Sequence, residues 1–364
     1  MCRRWSQAWV FGSVTTGTDR FGHPCGLACG LVAEGALAVE LLGRRLARAR
    51  LGDGVSAFDD LCRHFGAALS IGEIVDGCLR CHYHGWTYDA SGTVVDIPAR
   101  RGLPIPREAK VACYPVQEAY GLVWVCLADR PQAELPAYPE FADPAYVITP
   151  HRVYEGWQAA ATRIVMAALD DTHFPWVHPG ILGDPAHPEP PDHSASVIGD
   201  HLVAAYTIEQ PPNISLGSAP GATALEPVTY TNHVYPSTIR LHKEAPGGVF
   251  ILFQTMQPIS HNRSRIYLQV ARNFDLDRNR DEAYLACEDV SQSQNRPIVE
   301  SQRPWLLPPL PSRLMLYGWP ADRPLSASQR WSAWLGRPHK WCDPAPLARG
   351  AGGPGEPSPR GRRR

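Results

Sequence analysis

Cys62-Arg63-His64-Phe65-Gly66-Ala67-Ala68-Leu69 and Cys81-His82-Tyr83-His84-Gly85-Trp86-Thr87-Tyr88 decide how this chain is read. Each stretch carries one cysteine/histidine pair, and residues 65–80, sixteen in all, separate the pairs. Two thiolates and two neutral imidazoles can hold a metal. A Cys2His2 zinc site is one reading, yet zinc spacing usually pairs like ligands with like. Here each loop supplies one ligand of each kind. That suits a two-iron, two-sulfide cluster with both cysteines on one iron and both histidines on the other. Cys78-x-x-Cys81 alone would point to zinc or redox chemistry, but Cys78 follows the Asp76-Gly77 turn and reads as a buried thiol.

The surroundings of these loops read as β-structure. Leu37–Leu42, Val55–Phe58, Ile71–Val75, Thr93–Ile97 and Leu122–Leu127 are short apolar runs between turn signals such as Gly52-Asp53-Gly54 and Asp89-Ala90-Ser91-Gly92. A small antiparallel barrel or sandwich over residues 36–135 follows. Residues 1–35 show no clear period, and residues 130–145 read as an extended linker. A second unit spans 146–340. It has a helix at Ala160–Leu169 and strands at Leu202–Glu209, Val228–Val234, Thr238–His242, Val249–Met256 and Arg265–Phe274. A polar, amphipathic helix over Arg280–Gln294 completes it. The tail, 341–364, is rich in Pro, Gly and Arg and reads as disordered.

Composition bounds the rest. Of 364 residues, 35 are Lys or Arg and 36 are Asp or Glu, for a net charge of −1. So balanced a chain has no global field for nucleic acid or anionic membranes. No apolar run reaches the roughly 20 residues of a membrane span. Arg3 and Arg4 resemble a signal-peptide start, but Ser13, Thr15, Thr16, Asp19 and Arg20 interrupt the apolar stretch that should follow, so the chain reads as cytoplasmic. Ten cysteines in that compartment read as free thiols and metal ligands.

A second constellation lies in Asp170-Asp171-Thr172-His173-Phe174-Pro175-Trp176-Val177-His178. If the helix ends near Asp171, His173 and His178 can converge through a turn. Two histidines and a carboxylate form the facial triad of non-haem Fe(II) oxygenases, with positions left open for O2. An isolated pair of loop histidines more often holds nothing; the cysteine/histidine loops upstream tip the reading towards metal.

The first pair of loops, followed by Ile97-Pro98, resembles a Rieske domain. With the second constellation, residues 36–335 resemble the catalytic (alpha) subunit of a Rieske non-haem iron oxygenase, an aromatic ring-hydroxylating type of enzyme. Tyr114-Pro115-Val116, Gly121-Leu122-Val123-Trp124-Val125 and Ile298-Val299-Glu300-Ser301-Gln302-Arg303-Pro304 add to the likeness, which is strongest to the vanillate O-demethylase-type branch. The resemblance implies an α+β chain: an N-terminal all-β Rieske domain, then a helix-grip (START-like) antiparallel-sheet catalytic domain. It implies a [2Fe-2S] cluster on Cys62, His64, Cys81 and His84, and Fe(2+) on His173 and His178. It implies a homotrimer in which Asp170 bridges His84 of one subunit and His173 of the next. Electrons would come from a flavin-dependent reductase or a ferredoxin, since this chain has no Gly-rich dinucleotide motif. The reaction would be O2-dependent hydroxylation, oxidative demethylation or cyclisation of an aromatic or hydrophobic small molecule.

The pattern breaks in places. The third iron ligand should be an aspartate just before Ile298, where Asn295 stands, and an amide is a poorer Fe(II) ligand than a carboxylate. Asp289 is the nearest acid upstream. Met166-Ala167-Ala168 replaces a polar segment, Arg63 and His82 stand where proline is common, and only Trp5 and Trp9 offer an opening tryptophan strand. A Rieske electron-transfer or binding protein with an impaired iron site is therefore the rival reading. The pocket beside the iron is expected to draw on Val203, Ala205, Tyr230, Asn232, Val234, Ile239, Leu241, Leu252, Gln254 and Met256.

Overall fold

A computed structural model describes residues 18–31, 35–219, 221–318 and 321–335. Trp5, Trp9 and the tail at 341–364 lie outside the described residues. Three small antiparallel sheets form the first half. One runs Ala36–Leu41, Arg44–Leu51, Gly54–Asp59 and Cys113–Tyr114; a second runs Glu73–Val75, Cys78–Arg80, Thr87–Tyr88 and Val94–Asp96; a third runs His23–Leu27, Leu122–Val125 and Val116–Ala119. Two of these strands carry little sequence signal. Arg44–Leu51 holds four arginines yet sits inside its sheet, where Leu46, Ala47 and Ala49 are fully buried. His23–Leu27 contains Pro24 and Gly26, yet pairs with Leu122–Val125. Cys78 is half-buried on a strand, more open than its sequence reading. Every described cysteine is unpaired.

The second half is one eight-stranded antiparallel sheet. Its order is Val147–Ile148, Arg263–Arg272, Gly248–Ser260, Thr238–Ala245, Glu226–Tyr235, His201–Gln210 and Ser194–Ile198, with Arg152–Trp157 also paired to Arg263–Arg272. Strand Gly248–Ser260 shows how the halves join, because successive side chains leave a strand on opposite faces. Ile251 and Phe253 pack with Leu122, Trp124 and Tyr138 of the preceding half. Phe250 and Leu252 point the other way, against Tyr284 and Leu285. The last two belong to the long helix α3 (Asp281–Ser301), which lies on that inner face.

Three further helices follow the same logic: α1 (Ala161–Leu169), α2 (Phe174–Val177) and α4 (Arg323–Leu335). Helix α1 holds three alanines, Met166 and Leu169, all strong helix formers, and packs its Ile164, Val165 and Leu169 with Trp331 and Leu335 of α4. Helix α3 runs past the expected end at Gln294 despite Pro297. Proline inside a helix normally breaks it, but the final turn is held by the buried Val299 and by Arg296, which bonds Glu300 and the Gly156 carbonyl. Among the described residues no helix is long and apolar enough to cross a membrane.

Candidate metal centres and pocket

The two cysteine/histidine loops are built alike. Cys62 N–H donates to the Ala67 carbonyl and Gly66 N–H to the Cys62 carbonyl; Cys81 N–H donates to Trp86 and Gly85 N–H to Cys81. Gly66 and Gly85 close these turns at φ of 74° and 72°, in the left-handed region that glycine enters at little cost. A side chain at position 85 would also press on Pro98, 3.0 Å away. The loops bury Cys62 and Cys81, at 4% and 1% exposure, and turn both histidines outwards. His64 Nδ1 and His84 Nδ1 face each other at 3.1 Å. Two nitrogens each about 2.1 Å from one ion and at right angles lie about that far apart. Tyr88 OH sits 3.1 Å from Cys62 Sγ and accepts the Arg63 N–H at 2.9 Å. The His64 ring stacks on Trp86.

Among the described residues, no three His, Cys, Asp or Glu side chains converge on one ion. A two-iron cluster does not require it, because each iron takes two protein ligands and the sulfides supply the rest. Buried thiols inside and paired imidazoles outside fit that group.

The second site is made where α1 stops. Asp170 leaves the helix in an extended conformation. Its Oδ1 accepts the Thr172 N–H and hydroxyl, which makes the turn, and its Oδ2 takes His173 Nδ1 at 3.0 Å. Burial raises the Asp170 carboxyl pKa, but the bonds from His173 and Thr172 outweigh it and leave it below the ordinary value. One residue therefore ends the helix and aims His173. Its Nε2 is buried without a hydrogen-bond partner. One turn of α2 brings His178 beside it, with ring centres 5.1 Å apart. His178 Nδ1 donates to Gln294 Oε1 at 2.6 Å, which leaves Nε2 for another partner. Burial is the main cause of its lowered pKa, with His173 adding to it; hydrogen bonds to Gln294 and Asn295 act against it.

Asn295 therefore stands with the two histidines, and the three share the wall of one cavity. Two imidazole nitrogens and an amide oxygen fit a divalent iron, one negative charge short of the facial triad. Asp289 does not join them: Tyr154 OH donates to it at 2.8 Å and Arg152 pairs with it at 3.2 Å. Gln294 was missed in the sequence, where a glutamine beside the expected ligand carries no signal of its own.

The cavity measures about 80 Å³, against roughly 10–15 Å³ for one water. Tyr230, Leu241, Leu252 and Gln254 line it as the strand pattern implied; Phe250, on the same face of its strand, joins them. Val234, Ile239 and Met256 pack in the core with α1 instead, because α1 covers that end of the sheet. Asn232 is fully buried. A larger cleft of about 530 Å³ lies beside Pro115–Gln117 and Pro131–Leu135, and no candidate ligand lines it. Lys243, Ser215, Cys287, Glu288, Ser291 and Gln292 also line the iron-side cavity, and the sequence reading named none of them.

Comparison with known proteins agrees with this architecture. The family model for the Rieske [2Fe-2S] domain matches residues 27–115, and that for the vanillate O-demethylase oxygenase C-terminal domain matches 157–321. Methylxanthine N1-demethylase NdmA of Pseudomonas putida is 31% identical over 74% of this chain and 75% of its own. The vanillate O-demethylase oxygenase subunit of a Pseudomonas species is 33% identical over 43% of this chain and 47% of its own. The solved structure of NdmA with caffeine superposes with a TM-score of 0.73 at 29% identity, covering 88% of this chain and 90% of that one.

The chain belongs to the Rieske non-haem iron oxygenases. It is an oxidoreductase component that uses O2 and electrons from a separate reductase, with a [2Fe-2S] cluster and a mononuclear iron, on an aromatic or hydrophobic small molecule. The likeness to oxygenases and demethylases along most of the chain does not favour a purely electron-carrying protein.

Proposed function

We propose that this chain is the cytoplasmic, homotrimeric oxygenase of an oxidative demethylase, and that its substrate is a flat ring compound bearing an N- or O-methyl group. Cys62, His64, Cys81 and His84 would hold the cluster, and His173, His178 and Asn295 the iron. When bound, the cluster carries single electrons and the iron activates O2. The observation that supports this reading best is the buried, partnerless His173 Nε2 on the wall of a cavity that aromatic and aliphatic side chains share with polar ones.

Each side chain then has a task. Asp170 and Gln294 hold the Nδ1 atoms of His173 and His178, which fixes both tautomers and leaves the Nε2 atoms for metal. Phe174, Tyr230, Leu241, Phe250 and Leu252 keep bulk water from the reacting methyl group. The family resemblance makes His84 of a neighbouring subunit the expected further partner of Asp170, which within its own chain bonds Thr172 and His173. Phe65 and Tyr83, at 73% and 65% exposure beside the histidines, give that contact an apolar rim. In the overall reaction the methylated substrate, O2, two electrons and two protons give the demethylated ring, formaldehyde and water.

The experiment supplies the reconstituted protein with a reductase, NADH and a panel of N-methyl and O-methyl aromatics. Formaldehyde formed one-for-one with O2 consumed supports the proposal. Hydroxylated products without formaldehyde refute demethylation.

A further inference from the structure

Helix α3 presents a polar stripe where an apolar one is expected. Glu288, Ser291, Gln292 and Asn295 fall at i, i+3, i+4 and i+7, hence on one face, and all four line the cavity. Across from them Lys243 enters from strand Thr238–Ala245, on the same face as Leu241. Lys243 is 3% and Glu288 8% exposed. Burying such groups without full partners is costly. The Lys243 ammonium has three donors; it gives one to Ser215 Oγ at 2.7 Å and lies over the Tyr230 ring, 5.5 Å from its centre. Among the described residues the Glu288 carboxylate has no hydrogen-bond donor, and the two groups form no direct ion pair. Their pKa values follow their surroundings. Burial raises Glu288 to about 7 and lowers Lys243 to about 8, each partly offset by the other's charge.

We propose that Lys243 and Glu288 are the specificity pair of this pocket, and that they select a neutral planar heterocycle carrying a ring carbonyl beside a ring N–H. Lys243 donates to the carbonyl and Glu288 accepts the N–H. This deepens the demethylase reading above and rests on it. The seven helical steps from Glu288 to Asn295 span roughly 10 Å, about the length of a substituted bicyclic ring. A ring gripped at the pair thus reaches the histidines with its far edge. An anionic aromatic is the poorer fit, because the nearby acid offsets the ammonium. A wholly apolar ring would leave the Glu288 carboxylate without a donor and Lys243 with Ser215 as its one acceptor.

The test is isothermal titration calorimetry of the metal-loaded protein, without reductase, against quinolin-2-one, 1-methylquinolin-2-one and 2-naphthoate. Quinolin-2-one should bind best. Methylation of its nitrogen should weaken binding about 10- to 100-fold, as expected for one charge-assisted hydrogen bond. That ratio should collapse towards one in Glu288→Leu, and Lys243→Met should weaken both neutral ligands. Equal affinity of the two quinolinones in the natural protein overturns the assignment even if neither variant folds. So does tightest binding of 2-naphthoate, an unchanged ratio in Glu288→Leu, or no binding at all. Iron and sulfide contents measured on the same samples judge the oxygenase reading separately.

Discussion

Replacing Gln294 by leucine removes the acceptor that holds His178. The bond runs from His178 Nδ1 to Gln294 Oε1 at 2.6 Å, and His178 is 1% exposed, so bulk water has little access to the freed N–H. A buried donor left unpaired costs about 1–3 kcal/mol. Outer partners of metal-binding histidines are typically worth 10- to 100-fold in metal affinity, which is about 1.4–2.8 kcal/mol. The two ranges agree, so the Fe(II) dissociation constant should rise 10- to 100-fold in Gln294→Leu. Gln294→Glu keeps an acceptor and should bind at least as tightly as the natural protein. The assay strips the mononuclear iron anaerobically and titrates Fe(II) back against a chelator, with the visible absorption of the cluster as the control for folding. An unchanged dissociation constant in Gln294→Leu, with the cluster intact, would refute the reasoning.

Other perturbations follow from the same geometry. Asn295→Asp adds the missing negative charge and should tighten Fe(II) binding tenfold or more in the same titration; weaker binding would show that the amide is better matched to this site. Tyr88→Phe removes a hydrogen bond to Cys62 Sγ, which favours the more negative reduced cluster. Its potential should fall in a redox titration monitored by absorbance, and an unchanged value would disconnect Tyr88 from the cluster. Glu288 is raised from 4.5 to about 7 by burial, so the folded state holds its proton longer than the unfolded state does. Stability therefore declines as pH rises from about 4.5 to about 7. Glu288→Gln should raise the melting temperature more at pH 8 than at pH 5, and calorimetry showing equal shifts would contradict this.

The sequence reveals some parts of this protein and hides others for physical reasons. The paired loops at Cys62 and Cys81 are legible because each carries one cysteine and one histidine at short spacing, and the fold sets the two histidines face to face. His173 and His178 are legible as neighbours once Asp170 is seen to end a helix. The strands of the inner sheet are legible as short apolar runs, as in Val249–Met256, whose two faces are both buried. Strand Arg44–Leu51 is hidden because its arginines mask the buried Leu46 and the alanines around it. Helix α4 is hidden because serines, Gln329 and Arg330 interrupt the apolar residues Leu325, Trp331, Trp334 and Leu335 that pack on the core. Lys243 and Glu288 are hidden because a charged residue on a strand or helix normally faces water. Only the fold shows that both enter one cavity.

The most direct test of the account is the content of iron and acid-labile sulfide per chain after anaerobic reconstitution. About three irons and two sulfides are predicted, one [2Fe-2S] cluster and one mononuclear iron held with Asn295 in place of an acid. Two irons and two sulfides would contradict the account, because the chain would then hold the cluster alone and the site at His173 and His178 would bind no iron.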